Sequence, residues 1–384
     1  MEYDVFMLIS RSIASQVREG LEPGKIVVIY GPRQVGKTTL VKQLLSDFTQ
    51  KESLSINADQ LKYRQLLESQ DLQTLAGLMK GYRIVVIDEA QRVKDIGINL
   101  KIMADNFTET KFLVTGSASL DLANKINEPL TGRKKTFILY PLSVYELNGY
   151  FGTFETKTQL ERWLIYGGYP EIVLQTNIEA RQNLLAEIIG NYLYRDLLDL
   201  GEVKKPGKLV DLLRLLAFQI GAEVAISELA SNVAIDRITV EKYLDLLEQS
   251  FVIFKVGGFS RNLRKEIAKT SRYYFWDNGI RNALIENFNP LNIRNDKGQL
   301  WENFVMVERR KMHQEQKIRT NTYFWRTYDQ KEIDLIEESG GHLGGFEIKW
   351  SGDMRPATKK EFLGAYPDAK LDCITTENFF LTVK

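Results

Sequence analysis

The stretch KIVVIYGPRQVGKTTLVKQLL, residues 25–45, decides the fold of the first part of the chain. Its opening, KIVVIY, is a short apolar run rich in β-branched residues, which is typical of a buried strand. The segment GPRQVGK predicts a turn, and TTLVKQLL spaces its apolar residues as one face of a helix does. A strand, a tight loop and a helix in this order predict the βα unit of a parallel α/β sheet.

Residues 31–38 match the pattern G-x-x-x-x-G-K-[ST] of a phosphate-binding P-loop. In such a loop the backbone N–H groups surround phosphates, the lysine (Lys37) neutralises the β and γ oxygens, and the hydroxyl of Thr38 binds Mg²⁺. The pattern therefore predicts a site for ATP and Mg²⁺. The predicted nucleotide-binding residues are Gly31, Pro32, Arg33, Gln34, Val35, Gly36, Lys37, Thr38 and Thr39.

Two further strands are predicted to end beside this loop. RIVVIDEAQRV, residues 83–93, places Asp88 and Glu89 at the end of an apolar strand, where Asp88 would hold Mg²⁺ and Glu89 would deprotonate the attacking water. The alternative is that both are ordinary strand-end carboxylates. KFLVTGSAS, residues 111–119, brings Thr115 and Ser117 to the same sheet edge, where one of them could position that water.

Together with the downstream segment LTGRKKTFILYPLSVYEL, residues 130–147, this region resembles the AAA+ ATPases, and more closely a prokaryotic group with a Thr-Gly-Ser strand. The resemblance implies an ATPase domain over residues 1–155. It also implies that Ser117 is the polar sensor residue and that Arg133 contacts the γ-phosphate, in its own subunit or in a neighbouring copy. A structural arginine is the alternative for Arg133.

Helical spacing replaces the strands after residue 155. Residues 156–206 are predicted to form a helical linker, in which Gly167, Gly168 and Pro170 make a turn between helices. Arg195 is either a second sensor arginine or the partner of Asp196 in a helix ion pair.

Residues 207–290 have the order of a winged helix-turn-helix: three amphipathic helices, then the strand FVIFKV. In such a module the third helix enters the major groove of DNA. The side chains it would present are Arg237, Thr239 and Lys242, and its acidic residues are Glu241, Asp245 and Glu248. The alternative is that the module packs on a protein.

The segment after the strand supplies basic residues for phosphate contacts or for protection of a sheet edge, namely Arg261, Arg264, Lys265, Lys269 and Arg272.

The last predicted domain, residues 291–384, contains a helix over GQLWENFVMVERRKM and a hairpin of two strands, YFWRTYDQKEIDLIEE and GGFEIKWS. Asp334 and Glu347 would lie on these neighbouring antiparallel strands, and Lys349 would point to the same face as Glu347. Two carboxylates beside a lysine suit metal-assisted hydrolysis of a phosphodiester.

This region resembles the PD-(D/E)XK nuclease superfamily, and more closely the uncharacterised nuclease-like domain found behind this group of AAA+ ATPases. The resemblance implies that Glu302 is the helical acid, that Glu302, Asp334 and Glu347 hold the metal, and that Asp334, Glu347 and Lys349 carry the chemistry. Ile333 stands where many members have proline, and a downstream Gln-x-x-x-Tyr element is not found. Some relatives of this fold only bind nucleic acid or protein.

Composition limits the remaining possibilities. The formal net charge of +1 over 384 residues means that a nucleic-acid surface would have to be a local patch. One cysteine and two histidines exclude an internal disulfide and disfavour a zinc site. Neither a secretory leader nor an apolar run of about 18 residues is found, which predicts a cytoplasmic protein without a membrane span.

The sequence therefore predicts an α/β, Mg²⁺-dependent ATPase whose nucleotide state controls a winged helix and a nuclease-like domain acting on nucleic acid. A signalling or assembly switch with a catalytically silent docking domain is the alternative. The partners predicted beside ATP are DNA or an unknown protein, and a trans-acting Arg133 would require a homo-oligomer.

Overall fold

A computed structural model describes residues 8–117, 130, 132–190, 203–261 and 270–382. The chain forms two compact units, the first built mainly from the residues up to Pro141 and the second mainly from Leu142 onward. Arg195 and three of the basic residues predicted for the wing, Arg264, Lys265 and Lys269, lie outside the described residues.

The first unit contains a five-stranded sheet in the order β2-β3-β4-β1-β5, in which all neighbouring strands are parallel. This confirms the predicted parallel α/β sheet. Its strands are β1 (Ile26–Tyr30), β2 (Ser53–Asn57), β3 (Ile84–Asp88), β4 (Lys111–Gly116) and β5 (Lys134–Ile138). Every residue of β1 and four of the five residues of β3 are buried, because helices cover both faces of a parallel sheet. The described helices of this unit are α1 (Ala14–Gly20), α2 (Lys37–Leu45), α3 (Leu61–Leu67), α4 (Leu72–Met79) and α5 (Ile96–Asn106).

The strand register brings the predicted nucleotide-site residues to one edge. Tyr30 is opposite Gly116 on the paired strands β1 and β4, and Ile87 of β3 is opposite Val114 of β4. The loops that follow β1, β3 and β4 therefore leave the sheet side by side, at the carboxyl edge where open α/β sheets bind ligands.

The second unit begins with short helices of 5–10 residues, and further helices follow between the strands of its sheet. The short helices are α6 (Val144–Phe151), α7 (Thr153–Thr158), α8 (Leu160–Tyr166), α9 (Pro170–Leu174) and α10 (Ile178–Glu187). The next are α11 (Pro206–Phe218), α12 (Ile226–Val233), α13 (Arg237–Gln249) and α14 (Asn278–Leu284). The remaining described helices are α15 (Lys297–Glu315), α16 (Pro356–Ala365) and α17 (Phe379–Thr382).

The predicted turn between helices at Gly167 and Gly168 packs against a buried carboxylate. Asp277 accepts hydrogen bonds from the backbone N–H of Gly168 at 2.7 Å and of Ile280 at 3.1 Å. A Cβ added at Gly167 would lie 2.0 Å from Asp277 Oδ1, so only glycine fits there. Burial raises the pKa of Asp277 to about 6.

The second unit carries one seven-stranded sheet in the order β12-β11-β10-β9-β7-β8-β6. Its strands are β6 (Glu223–Val224), β7 (Ile253–Gly258), β8 (Ser271–Phe275), β9 (Asn321–Arg326), β10 (Glu332–Ser339), β11 (His342–Ile348) and β12 (Lys370–Ile374). β7 pairs in parallel with β9, so strands from before and after residue 290 share one sheet. The predicted domain boundary at residue 290 therefore falls inside this unit.

The segment predicted as the first strand of a hairpin is in fact two strands. β9 ends at Arg326, and the chain turns at Thr327, whose N–H donates to Lys331 O at 2.9 Å, before β10 begins. β10 and β11 then form the hairpin, with Leu335 opposite Phe346. The turn contains Asp329, a residue type that favours turns, and Gln330, which adopts the left-handed conformation with φ +63°.

A cluster of apolar residues supports this end of the sheet. Its buried members are Phe259, Trp325, Ile333, Ile336, Leu343, Phe362 and Tyr366. They come from β9, β10, β11 and α16 and from the residues directly after β7 and α16, so the core is common to elements far apart in sequence. Among the helices of the described residues, we find none with the length and apolar character needed to cross a membrane.

Candidate functional site

The P-loop between β1 and α2 depends on two glycines. Gly31 has φ +150°, and a Cβ added there would lie 2.2 Å from the carbonyl oxygen of Leu139. Gly36 has φ +94° and is the N-cap of α2. A side chain at either position would be strained, so the backbone of this loop requires glycine at both ends.

Lys37 fills the interior of this loop. Its side chain is buried, and its Nζ donates hydrogen bonds of 2.8 Å to the carbonyl oxygens of Gly31 and Pro32. The ammonium group is therefore held beside the backbone of the same loop that the sequence predicts to surround phosphates. The predicted residues Arg33, Gln34, Val35 and Thr39 belong to the same loop and first helical turn.

Thr38 and Asp88 lie next to each other across the sheet edge. Thr38 Oγ1 donates to Asp88 Oδ2 at 3.2 Å, and Thr115 Oγ1 donates to Asp88 Oδ1. A hydroxyl beside a carboxylate at a P-loop is an oxygen donor set that suits Mg²⁺. The residues present therefore fit the predicted ion.

Glu89 follows β3 in a strained conformation, with φ +55°. Its N–H points to Asp88 Oδ1 at 3.2 Å, and its carboxylate accepts a hydrogen bond from Gln91 Nε2. Gln91 Nε2 also donates to Ser117 Oγ at 2.9 Å. The structure thus brings together Glu89 and Ser117, as predicted, through Gln91.

Sequence analysis missed Gln91. The side chain is buried and lies in a single 3₁₀ turn, Ala90–Arg92, that directly follows Glu89. Its position two residues after a predicted catalytic carboxylate was the only signal in the sequence, because its contact with Ser117 depends on the pairing of β3 with β4.

Arg133 does not lie at the nucleotide edge. It precedes β5, whose first residue Lys134 is opposite Ile26, the first residue of β1. At about 3.3 Å per residue, the length of β1 separates Arg133 from the P-loop edge by roughly 13 Å. Arg133 forms an ion pair with Asp105 there. The topology therefore places Arg133 away from the P-loop of its own subunit, which leaves contact with a neighbouring copy or the structural role that the ion pair with Asp105 represents.

Arg11 is a second residue that sequence analysis missed. Its buried guanidinium donates to the carbonyl oxygen of Val35 at 2.6 Å and to that of Tyr140 at 2.5 Å. It therefore ties the P-loop to the segment that follows β5. Nothing in the sequence around Arg11 indicates this contact, because its partners are 24 and 129 residues away.

The predicted acids of the C-terminal site do come together. The N–H of Ile348 donates to Asp334 Oδ2 at 2.8 Å, which places Asp334 beside Glu347 on the neighbouring strand. Lys349 Nζ donates to Glu347 Oε1 at 2.5 Å. Glu302, from α15, accepts a hydrogen bond from Tyr274 Oη at 2.7 Å. Asp334 and Glu347 are both buried.

An arginine that was predicted to face DNA lies among these acids. Arg272 is only 5% exposed, so it is not available to a DNA backbone and that interpretation is wrong. Its Nη1 lies 3.4 Å from Asp334 Oδ1 and 3.7 Å from Glu302 Oε1, and its Nη2 lies 2.8 Å from Glu332 Oε2. Glu223 Oε1 is 3.8 Å from the same nitrogen.

Burial and crowding of charge shape this pocket. Burial, followed by the carboxylates of Glu302 and Glu347, raises the pKa of Asp334 well above its usual value, while Arg272 acts in the opposite direction. Burial also raises the pKa of Glu302. Burial works to lower the pKa of Arg272, but the surrounding acids raise it. Tyr274 and the carboxylates around Arg272 therefore favour its charged form.

These residues do not fit the metal ion that the nuclease resemblance implies. Within the residues that the structure covers, no three or more His, Cys, Asp or Glu side chains are grouped so as to hold a metal ion. Glu302 and Asp334 instead share Nη1 of Arg272. We derive no reaction step through a metal at this site.

The exposed face of α13 carries both signs of charge. Its exposed charged residues are Arg237, Glu241, Lys242 and Asp245. Thr239 is held at the start of the helix by Asp236, which accepts from its N–H at 2.8 Å and from its hydroxyl at 2.7 Å. Arg261 is exposed and forms an ion pair with Glu338 at 2.8 Å.

Comparison with protein families divides the chain into three segments. Residues 23–148 match an AAA domain family. Residues 157–292 and 297–380 match two domains of unknown function, DUF8612 and DUF4143 respectively. The first match supports the predicted AAA+ type of ATPase in the first unit.

Relatives occur in distant prokaryotes. An uncharacterised protein of Mycobacterium tuberculosis is 29% identical over 372 residues, which are 95% of this chain and 79% of that protein. One from Methanocaldococcus jannaschii is 25% identical over 310 residues, 76% of this chain and 68% of that protein. Among solved structures, Cdc6p from Pyrobaculum aerophilum superposes on 74% of this chain and 97% of its own, with 12% identity and a TM-score of 0.31.

Proposed function

We propose that this chain is an Mg²⁺-dependent AAA+ ATPase whose nucleotide state controls its second unit. The observation that carries the proposal is the convergence of Lys37, Thr38, Asp88 and Glu89 at one edge of the parallel sheet. Lys37 and Thr38 come from the P-loop, and Asp88 and Glu89 come from the end of β3. Phosphoryl transfer to water requires both groups: residues that bind the phosphates and Mg²⁺, and a residue that activates the water.

Each residue has a role that follows from its place. The P-loop backbone and Lys37 would bind the β- and γ-phosphates, and Thr38 and Asp88 would hold Mg²⁺, which neutralises charge on those phosphates. Glu89 would take a proton from the water that attacks the γ-phosphorus as the bond to the ADP oxygen breaks. Gln91 and Ser117 would hold the Glu89 carboxylate in position until then.

Arg133 extends the proposal to a homo-oligomer. Because Arg133 lies at the edge of the sheet opposite the P-loop, it could contact only the nucleotide of a neighbouring copy. The proposed γ-phosphate contact is therefore a contact made in trans, and an ATPase of this kind would require at least a dimer.

Two substitutions test the ATPase proposal. We expect Lys37→Ala to weaken ATP binding, because the phosphates lose their buried cation. Glu89→Gln should bind ATP normally but hydrolyse it about 10²–10⁴ times more slowly, since a general base is lost. Binding is measured by calorimetry and turnover by phosphate release.

Lys42→Ala, on the exposed face of the same helix, is the matched control for Lys37→Ala, and Glu19→Gln is the matched control for Glu89→Gln. Wild-type turnover in Glu89→Gln would contradict the role of Glu89.

Nucleic-acid cleavage by the second unit is the second candidate function. The grouping of Glu302, Asp334, Glu347 and Lys349 favours it, because these are the four positions of the nuclease resemblance. Arg272 within that group favours the alternative, a silent domain that docks nucleic acid or protein. The mixed charge on α13 and the net charge of +1 support a protein partner over DNA.

Incubation with single- and double-stranded DNA distinguishes these alternatives. The protein is tested with Mg²⁺ or Mn²⁺, with and without ATP, beside Lys349→Ala and Lys37→Ala. Cleavage lost in Lys349→Ala would establish a nuclease, and its dependence on Lys37 would show control by ATP. ATP hydrolysis without cleavage would support the docking role.

A further inference from the structure

The guanidinium of Arg272 is surrounded by four carboxylates from three different elements. Glu223 comes from β6, Glu302 from α15, and Glu332 and Asp334 from β10. Only Glu332 is substantially exposed, with 47% of its side chain accessible, whereas the side chains of the other three are 10–16% accessible. Arg272 is thus the cationic centre of an otherwise acidic pocket.

This position of Arg272 is maintained by packing as well as by charge. The guanidinium lies over the ring of Phe324 at 4.7 Å from its centre, and Phe324 is fully buried. Two residues further along β8, Tyr274 is also fully buried and donates to Glu302 at 2.7 Å. The strand β8 therefore carries both partners of Glu302, Arg272 and Tyr274. The guanidinium of Arg272 is planar and stacks on the ring of Phe324, an arrangement well suited to a buried ion pair.

A divalent ion and Arg272 would compete for the same oxygens. Ions such as Mg²⁺ and Mn²⁺ bind carboxylate oxygens at roughly 2.0–2.6 Å, and their charge repels a guanidinium at such distances. Nη1 of Arg272 already lies between Asp334 Oδ1 and Glu302 Oε1, at 3.4 and 3.7 Å. Both acids are therefore compensated without a metal.

The third acid retains a free oxygen. Glu347 binds Lys349 through Oε1, while its buried Oε2 has no hydrogen-bond partner within the described part of the chain. If the guanidinium were removed, Glu302, Asp334 and this oxygen would leave a buried, negatively charged pocket with no cation between Glu302 and Asp334. Such a pocket is strongly unfavourable unless another cation enters it.

We propose that Arg272 is an internal counter-cation that closes the C-terminal acidic pocket to divalent metal ions, and that the pocket accepts such an ion only when the guanidinium is withdrawn. The pocket is thereby held in a metal-excluding state by a residue from the strand β8. This inference does not depend on ATP binding or hydrolysis by the first unit.

Mn²⁺ binding to the full chain without nucleotide tests the proposal, measured by calorimetry and by the electron paramagnetic resonance of free Mn²⁺. All proteins carry Asp88→Asn, so that the P-loop carboxylate does not add a second site. We expect Arg272→Ala to bind one Mn²⁺ at least about tenfold more tightly than the parent. The gain should disappear in Arg272→Ala with Asp334→Asn.

Arg326→Ala is the matched control. Arg326 also pairs with Glu223, but among the described residues its side-chain contacts are with Glu223 and Gln330 and not with Glu302 or Asp334, so its removal should leave Mn²⁺ binding unchanged. The proposal would be overturned if the parent with Arg272 intact bound Mn²⁺ in a manner abolished by Asp334→Asn. A folded Arg272→Ala protein without any gain would overturn it as well.

A second variant covers the case in which Arg272→Ala does not fold. Arg272→Gln removes the charge but keeps polar hydrogen-bonding groups in the pocket. Its thermal unfolding, followed by circular dichroism, should shift to higher temperature when Mn²⁺ is added, because an ion that binds only the folded state stabilises it. A variant that stays unfolded with or without Mn²⁺, or a folded variant whose unfolding Mn²⁺ does not change, would overturn the proposal.

Discussion

At the scale of single residues, buried arginines connect segments that are far apart in the sequence of each unit. Arg11 bonds the backbone of the P-loop at Val35 and the backbone at Tyr140, beyond β5. Two charge-assisted hydrogen bonds to carbonyl oxygens, made by a side chain that is 7% exposed, contribute more than the same bonds would at the surface.

We expect Arg11→Ala to weaken ATP binding about tenfold or more, because the P-loop loses a support worth roughly 1.5–3 kcal/mol. The dissociation constant of a fluorescent ATP analogue measures the effect. Arg18→Ala is the matched control, since Arg18 is half-exposed and pairs only with Asp47 in the contacts described. Equal affinity in Arg11→Ala and the parent would show that the P-loop keeps its shape without this contact.

At the scale of elements, a buried asparagine joins α15 to β8. Asn303 accepts from the N–H of Phe275 at 2.8 Å, donates to the carbonyl of Phe275 at 2.9 Å and donates to Asn278 Oδ1 at 2.6 Å. The side chain is fully buried. The Asn303 side chain thus forms hydrogen bonds with both the N–H and the C=O of Phe275, although its helix begins only at Lys297.

We expect Asn303→Ala to lower the free energy of unfolding by about 2–4 kcal/mol, because the N–H and C=O of Phe275 would be left buried without partners. Urea unfolding followed by tryptophan fluorescence measures this loss. Asn289→Ala, at an exposed loop position, should change stability by less than about 0.5 kcal/mol. If both variants lowered the free energy of unfolding by the same small amount, water or a neighbouring group would have to form the hydrogen bonds that the Asn303 side chain makes with Phe275.

At the scale of the whole molecule, the second unit is continuous from its first residues to its last described strand. Its opening segment bonds to α15: Lys311 Nζ donates to Leu142 O at 3.0 Å, and the N–H of Val144 donates to Glu308 Oε2 at 2.6 Å. β7 and β9 then join the strands before and after residue 290 in one sheet. Arg272 and Asn303 reinforce the same connection.

We therefore expect residues 142–384 to unfold in one cooperative transition, and residues 291–384 alone not to fold. The shorter fragment would expose the pairing edge of β9 and would leave Glu302 and Asp334 without Arg272. Circular dichroism in the near and far ultraviolet, with heating, measures both. Cooperative unfolding of the 291–384 fragment would instead mean that the segment is a domain of its own.

Local pattern predicted the parts of the candidate site that lie close together in sequence. Gly31, Gly36 and Lys37 fall within one loop, and Asp88 and Glu89 end one apolar strand, so periodicity and spacing were sufficient to place them at the edge of a parallel sheet. The C-terminal acids Asp334 and Glu347 were also paired correctly, because adjacent strands joined by a short turn have a limited choice of register.

Other parts depended on contacts that no local pattern reveals. The turn at Thr327 divides the predicted strand into two strands. Local pattern did not indicate this turn, because apolar and polar residues alternate on both sides of it. Spacing in sequence left open whether Arg133 contacts the γ-phosphate of its own subunit, that of a neighbouring copy, or neither; the pairing of β5 with the start of β1 puts it at the edge opposite the P-loop. Arg272 was predicted to contact a phosphate backbone or to protect a sheet edge, but the fold of the second unit buries it among acids.

Local spacing of residues was enough to predict the P-loop, the parallel sheet that presents it and the acids of the C-terminal segment, because each of these is encoded in a short stretch of the chain. Which distant polar groups meet depends on the tertiary structure: the Arg11 guanidinium with the Val35 carbonyl, the Gln91 amide with the Ser117 hydroxyl, and the Arg272 guanidinium with the carboxylates of Glu302 and Asp334. Those pairs are separated by up to 62 residues, and the free energy of burying a charge is favourable only where the fold supplies its partner.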